Sequence, residues 1–264
     1  MKKNRRHALG QHFLCDMGTL NKIISVIDPS KEDFIIEIGG GRGALTRPLA
    51  AKAGRVVTIE RDAELVPVLR SLDLPNLEVI AGDVLKQDFI SLSLQPDTKV
   101  VGNLPYSIST PLLLKILLER ERLADCVFLI QKEVADRICA APGGKAYAPL
   151  SILLHNAFER RIHFKVKPGA FSPPPKVDSA VISLNKRPRS LVPVKDDRRF
   201  LGFLRGCFRQ RRKTLSNNLK SLGFSPDTIQ ETISLAGLPD KVRSEQLTLE
   251  QFFTLNQRLD LWRP

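Results

Sequence analysis

Glu37-Ile38-Gly39-Gly40-Gly41-Arg42-Gly43-Ala44 is the stretch on which the reading of the fold turns. It closes Phe34–Ile38, an apolar run that reads as a buried strand, and opens Ala44–Ala53, which reads as a helix. Glycines at a strand-to-helix turn let the backbone take positive φ and approach a ligand closely. Taken alone the string is ambiguous. Gly39-x-Gly41-x-x-Ala44 also satisfies the dinucleotide fingerprint, and a tight turn without any ligand needs the same glycines.

Working outward, the periodicity alternates. Leu20, Ile23, Ile24 and Ile27 recur at helical spacing before Pro29. After the glycines, Arg55–Ile59, Leu77–Ile80, Lys99–Val101 and Cys126–Ile130 read as strands, and Ala63–Leu72, Pro111–Glu119 and Lys132–Ala140 as helices. Such alternation predicts an α/β fold with a doubly wound, mainly parallel sheet. Arg161–Val166 and Ser179–Leu184 are two further strands joined through Gly169-Ala170-Phe171-Ser172-Pro173-Pro174-Pro175 with no helix between them, which predicts an antiparallel hairpin at the sheet edge. Beyond Arg187 the strand pattern stops, Pro188 and Pro193 mark a linker, and the rest reads as helical. The expected organisation is a domain over 1–186 and a small helical domain over 187–264.

The 264 residues carry 41 Lys and Arg against 28 Asp and Glu, a net charge of +13 that favours a polyanionic partner. Residues 187–264 hold 15 basic and 8 acidic side chains. That surplus suits a nucleic-acid surface or a solvated helical cap equally well. No run of 18 apolar residues exists, and Met1-Lys2-Lys3-Asn4-Arg5-Arg6-His7 is not followed by an apolar signal core, so a soluble, cytoplasmic protein without a membrane partner is expected. Cys15, Cys126, Cys139 and Cys207 are scattered without a CxxC pair. Buried thiols are expected, with neither a disulfide framework nor a metal site.

Glu60 stands 21 residues after Gly39 at the end of the second strand, where a carboxylate accepts hydrogen bonds from ribose hydroxyls. Gly82-Asp83 after the third strand and Asn103-Leu104-Pro105-Tyr106 after the fourth resolve the ambiguity. The second string places an amide, a rigid turn and an aromatic ring at the ligand crevice, a set that suits a planar amine. An exocyclic adenine amine is a poor nucleophile because its lone pair is delocalised into the ring. Acceptors aimed at its two N–H bonds, the Asn103 side-chain oxygen and the Leu104 or Pro105 carbonyl, would favour a pyramidal nitrogen, and Tyr106 would stack on the base. A base swung out of its stack has a second face, and Phe171 in the proline-braced loop is the candidate to cover it.

Leu9-Gly10-Gln11-His12-Phe13-Leu14, Gly39-Gly40-Gly41, Gly102-Asn103-Leu104-Pro105-Tyr106-Ser107-Ile108-Ser109-Thr110-Pro111, Gln131-Lys132-Glu133-Val134-Ala135, Phe171-Ser172-Pro173-Pro174-Pro175-Lys176-Val177-Asp178-Ser179-Ala180-Val181 and Gln210-Arg211-Arg212-Lys213-Thr214-Leu215 follow one another along the chain. In these ordered blocks the sequence resembles the ribosomal RNA adenine N6,N6-dimethyltransferases, and specifically the small-subunit, KsgA-type family. The resemblance implies a Rossmann-like S-adenosylmethionine-dependent methyltransferase domain followed by a helical domain. It further implies two methyl groups on each of two adjacent adenines near the 3′ end of small-subunit (16S) RNA, with a part in small-subunit biogenesis. Cofactor contacts are then expected at His12, Leu14, Gly39, Gly41, Glu60, Asp83 and Asn103. RNA contacts are expected at Arg209, Arg211, Arg212 and Lys213, and the partner is the small ribosomal subunit, approached by a monomer. One position departs from the family, which usually has Asn where this chain has His12. A large-subunit RNA methyltransferase, a DNA adenine methyltransferase and a non-catalytic assembly factor on the same scaffold are the rival readings.

Overall fold

A computed structural model describes residues 11–92 and 97–259. In chain order its elements are β1 (Phe13–Leu14), α1 (Met17–Ile27), β2 (Phe34–Ile38), α2 (Thr46–Lys52), β3 (Arg55–Glu60), α3 (Val66–Arg70), β4 (Leu77–Ala81), α4 (Phe89–Leu92), β5 (Thr98–Asn103), α5 (Ser109–Leu118), β6 (Leu123–Gln131), α6 (Lys132–Ile138), α7 (Pro149–Ala157), β7 (Phe158–Val166), β8 (Phe171–Ser172) and β9 (Ser179–Lys186). Four helices follow, α8 (Asp197–Cys207), α9 (Leu215–Ser221), α10 (Pro226–Leu235) and α11 (Leu249–Arg258).

Seven strands form one sheet in the order β4-β3-β2-β5-β6-β9-β7. The pairs β2–β3, β3–β4, β2–β5 and β5–β6 are parallel, and β9 returns antiparallel to β6, with Gln131 opposite Ser179. A parallel strand covered on both faces is apolar along its whole length. All five residues of β2 are buried accordingly. The chain moves outward from β2 to β3 and β4, then returns to place β5 on the other side of β2. That reversal opens a crevice at the carboxyl ends of β2 and β5, where ligands of open α/β sheets bind.

One residue of β2 breaks the apolar run. Glu37 is 1% exposed, and its Oε2 accepts from the hydroxyls of Thr46 at 2.7 Å and Thr58 at 2.6 Å. These bonds fasten the start of α2 and the middle of β3 to β2 beneath the glycine turn. Burial pushes the Glu37 carboxyl up to about 7, the two threonine hydroxyls act the other way, and the Glu60 charge adds to the rise.

A separate two-stranded ribbon joins β1 to β8 antiparallel, with Leu14 opposite Phe171. It is flanked by α1, whose N-cap Asp16 accepts the Thr19 N–H at 2.7 Å and whose Leu20, Ile23, Ile24 and Ile27 are buried. Leu14, Phe171, Val166 and these residues belong to one hydrophobic cluster with Ile35, Leu49 and Val101 of the central layer.

The chain divides into two compact units. One contains the residues up to Ala135 together with Glu159–Lys186, and the other contains Asp136–Phe158 together with the residues from Arg187 onward. The segment around α7 therefore groups with the C-terminal helices, whereas the sequence reading placed it within 1–186. Inside this second unit Asn156 bonds the backbone of Val192 twice, through Nδ2 to the carbonyl at 3.1 Å and through Oδ1 from the N–H at 2.8 Å. The rings of Tyr147, Phe208 and Phe252 meet at 6.2 and 5.7 Å between centroids. Cys126 and Cys207 are buried thiols pushed well above their ordinary pKa by that burial, but Cys139 is half-buried and Cys15 exposed, against the expectation that all four are interior. No helix among the described residues is long and apolar enough to cross a membrane.

Candidate active site

Two adjoining cavities open at the carboxyl ends of β2, β3 and β5. The first, of about 100 Å³, is lined by Gln11, Gly39, Glu60, Arg61, Asp62 and Asp83 with apolar walls from Ile38, Ile59, Val84 and Ile108. The second, of about 70 Å³, is lined by Gln11, His12, Phe13, Gly39, Gly41, Glu60 and the Asn103-Leu104-Pro105-Tyr106 turn. Gln11, Gly39, Glu60 and Pro105 belong to both.

The glycine turn takes its shape from φ values of +73° at Gly39 and +59° at Gly41. A side chain at either position would be strained. The Gly41 N–H, freed by this turn, donates to Glu60 Oε2 at 2.9 Å, and the Asp62 N–H donates to Glu60 Oε1 at 2.8 Å. Glu60 is 5% exposed and so is aimed from both sides before any ligand arrives. Each oxygen keeps a lone pair for a ribose hydroxyl. Asp83 uses Oδ1 to cap the Leu85 N–H at 3.0 Å, and its Oδ2 lies 3.7 Å from Arg61 Nη1. A diol anchored by Glu60, an apolar slot walled by Ile59, Val84 and Ile108, and a carboxylate at the far end fit a purine nucleoside.

Asn103 ends β5 with its amide already oriented. Nδ2 donates to the His12 carbonyl at 2.8 Å, which leaves Oδ1 as the acceptor on the other side of the group. Leu104 is anchored by its N–H to the Leu129 carbonyl at 3.0 Å. The Pro105 carbonyl receives the Ile108 N–H at 3.1 Å and the Ser109 hydroxyl at 3.4 Å. Of the two carbonyls that the sequence left open, Leu104 is thus the better placed to accept a second amine hydrogen. The Tyr106 hydroxyl meets Ser179 Oγ at 3.1 Å, and burial pushes its phenol above the ordinary value, with the Ser179 bond acting the other way, so the ring is neutral at physiological pH.

Most expected residues come together here, namely His12, Gly39, Gly41, Glu60, Asp83, Asn103, Leu104, Pro105 and Tyr106. Leu14 lines neither cavity and is 7% exposed in the hydrophobic cluster. Phe171, opposite Leu14 in the ribbon of β1 and β8, is 5% exposed, belongs to the same cluster and lines neither cavity. Arg209, Arg211, Arg212 and Lys213 are exposed in the second unit between α8 and α9, and Arg211 Nη2 donates to the Lys145 carbonyl at 2.5 Å. Leu9 and Gly10 of the first sequence block lie outside the described residues. Gln11 and Asp62 were not singled out from sequence. Gln11 Nε2 donates to Asp62 Oδ2 at 3.1 Å, while Gln11 Oε1 is buried beside the cavities with no partner among the described residues. Only spatial proximity to Glu60 reveals them.

A family model described as ribosomal RNA adenine dimethylase matches residues 2–261. The chain is similar to ribosomal RNA small subunit methyltransferase A of Geobacter metallireducens, 40% identical over 261 residues covering 96% of this chain and 95% of the relative. It is also similar to the protein of the same name from Xanthomonas campestris pv. campestris, 41% identical over 252 residues covering 95% and 94%. Among solved structures, a dimethyladenosine transferase from Plasmodium falciparum superposes with a TM-score of 0.78 at 28% identity, covering 94% of this chain and 98% of that one. The 23S rRNA methyltransferase ErmE superposes with a TM-score of 0.73 at 26% identity, covering 94% and 99%. With nearly its whole length inside that match, and with a nucleoside cradle beside an oriented Asn103, the chain belongs to the ribosomal RNA adenine dimethylase family of S-adenosylmethionine-dependent methyltransferases.

Proposed function

We propose that the protein methylates the N6 amine of two adjacent adenines near the 3′ end of small-subunit (16S) RNA, giving N6,N6-dimethyladenosine, and does so in the cytoplasm as a monomer that needs no metal. The observation that carries this reading is the Asn103 amide, which lines the cavity and whose Nδ2 is engaged by the His12 carbonyl, leaving Oδ1 to accept. Support for the small subunit comes from relatives about 40% identical over 95% or more of the chain that bear that name. The large-subunit enzyme ErmE shares the fold at 26% identity.

When bound, S-adenosylmethionine supplies a sulfonium methyl electrophile, and the protein's task is positioning. Glu60 holds the ribose, Asp83 and the Val84 wall hold the adenine end, and Gly39 and Gly41 allow close backbone approach. Across the shared wall, Asn103 Oδ1 and the Leu104 carbonyl accept the two hydrogens of the target amine and turn its lone pair toward the methyl group. Transfer of the methyl group would leave the electron pair of the broken carbon–sulfur bond on sulfur, and the extra proton on N6 would pass from the amine held by Asn103 and Leu104 to water. Alignment of this kind contributes roughly 7–11 kcal/mol of barrier lowering when geometry is good. Tyr106 stacks on the extruded base and offsets about 1–3 kcal/mol of its unstacking cost. In this reading Arg209, Arg211, Arg212 and Lys213 bind RNA phosphates.

Labelled methyl transfer into small subunits, large subunits, naked RNA and duplex DNA, followed by identification of the modified base, tests the assignment. Dimethyladenosine confined to small-subunit RNA is expected. Label in large subunits or DNA, or none at all, would overturn it.

A further inference from the structure

Asp178, the residue before β9, gathers two lysines on one oxygen. Lys165 Nζ lies 2.9 Å from its Oδ2, and Lys167 Nζ lies 3.6 Å from the same atom. We infer that Lys165 and Lys167, aligned by Asp178, bind successive phosphates of the substrate RNA beside the target adenine. The inference rests on the reading of Tyr106 as the ring that receives the base, and adds the place where the strand carrying that base is held.

The sheet sets the position of this pair. β7 is the outermost strand and lies next to β9. Side chains along a strand alternate between faces, so Arg161, His163, Lys165 and, one residue past the strand end, Lys167 share one face. That face is tied to β9 through His163 and Ser183, whose Nε2 and Oγ stand 2.9 Å apart, and through the two lysines on Asp178. Asp178 is itself fixed, because its carbonyl accepts the Lys132 N–H at 3.0 Å where β6 ends. The next residue, Ser179, meets the Tyr106 hydroxyl at 3.1 Å. A single peptide bond thus joins the anchor of the lysine pair to the residue that holds the Tyr106 ring. Two residues of extended chain advance about 6.7 Å, comparable to the step between neighbouring phosphates of an extended nucleic-acid strand.

Charge decides the sign of the partner. Residues 158–167 hold four Lys and Arg against one Glu. The Lys165 bond keeps the Asp178 carboxyl below its ordinary value, so it stays ionised, yet one carboxylate neutralises only one of two lysines. Their side chains are 44% and 74% exposed and accessible to a polyanion. The neighbouring cavity wall carries Glu60, Asp62 and Asp83, so a strand that delivers its base to Tyr106 needs cations close to that ring. Lysines on an edge strand also discourage pairing with another chain. Protection of that kind is served by either sign of charge and needs no carboxylate to gather the two.

Binding of the full-length protein to small subunits, with S-adenosylhomocysteine present so that no transfer occurs, tests the pair. Two phosphate contacts on a single strand contribute about 1.4 to the slope of log affinity against log salt. Lys165→Gln/Lys167→Gln should therefore lose about sevenfold less affinity than the wild type between 50 and 200 mM salt. Lys165→Arg/Lys167→Arg should restore the slope, with melting temperature and S-adenosylhomocysteine affinity unchanged in both. An unaltered slope, a melting temperature lowered by the Gln pair, or wild-type binding by Lys165→Glu/Lys167→Glu, as edge protection predicts, would overturn the inference. A second measurement locates the contact. Gly169 is exposed two residues beyond Lys167 and has nothing within 4 Å of where a side chain would begin, so Gly169→Cys in a Cys15→Ser background offers a tether for iron-EDTA. Cleavage of the subunit RNA beside the methylated adenines is expected, and cuts confined to other regions would overturn the placement. Tyr106→Ala keeps the two readings apart: normal methyl transfer by that variant removes the base site, whereas an unaltered slope in the Gln pair beside a slow Tyr106→Ala removes only the phosphate contact.

Discussion

Glu60 illustrates how much of a binding site can be set before the ligand arrives. Its two oxygens each accept one backbone N–H, from Gly41 and Asp62, so the carboxylate cannot rotate without breaking both bonds. Glu60→Ala should weaken S-adenosylhomocysteine binding at least tenfold by calorimetry, the loss expected from charge-assisted bonds of about 1.5–3 kcal/mol. Glu60→Gln should lose nearly as much, because its amide NH₂ must face one of those two N–H donors; full affinity in the Gln variant would show that the carboxylate geometry is immaterial. Glu37, one strand away, titrates in a useful range. Its carboxyl sits at about 7 in the folded protein against the usual 4.5, so between these values the native state holds more protons than the unfolded chain. Stability must then fall as pH rises through that window and level off above it, by at most about 3 kcal/mol. Glu37→Gln keeps an acceptor for Thr46 and Thr58 but has no proton to lose. Urea unfolding from pH 4.5 to 7.5 should show the variant gaining on the wild type as pH rises, and a constant difference would rule out titration of Glu37 in this range.

Elements whose residues are neighbours in sequence were the legible ones. Phe34–Ile38 reads as a strand and is one, because five consecutive buried positions permit little else. The glycine turn also predicts its own position, though α2 starts at Thr46, two residues later than Ala44, since Gly43 at φ +83° is still turning. Helix α7 went unseen because Pro142-Gly143-Gly144 and Pro149 look like loop, yet a proline in the first turn is a favoured way to begin a helix. The ribbon of β1 and β8 joins Leu14 to Phe171 across more than half the chain, and no local pattern announces it. For the same reason the burial of the Phe171 ring is not legible from its local sequence. A proline-braced loop says that an aromatic is held, whereas the pairing with β1 places it in the cluster. Phe171→Ala should cost about 3–5 kcal/mol of stability, as for a large buried side chain. Urea titration checks this, and an unmoved unfolding midpoint would show that the ring is not part of the core.

At the scale of the whole molecule, the question is what the +13 charge does. The site itself is acidic, with Glu60, Asp62 and Asp83 facing the cavity, which suits a sulfonium cofactor but repels RNA. Attraction for the polyanion must therefore come from elsewhere, and the basic surplus of residues 187–264 is the largest local source. Within it Arg211 is committed to the Lys145 carbonyl, so replacing it would disturb the second unit's own structure. Arg209, Arg212 and Lys213 are exposed and better suited to a test. If they contact phosphates, the triple Ala variant should bind small subunits more weakly, and each lost contact should flatten the dependence of log affinity on log salt by about one unit of slope. The maximal methylation rate on saturating particles should remain, because counterion release governs docking and the Asn103 turn governs chemistry. A solvated helical cap makes the opposite prediction, with affinity and slope both unmoved. Affinity measured between 50 and 200 mM salt, roughly the range over which phosphate contacts are most visible, decides between them: a parallel shift without a change in slope would mean that these three side chains act through packing and not as counterions to RNA.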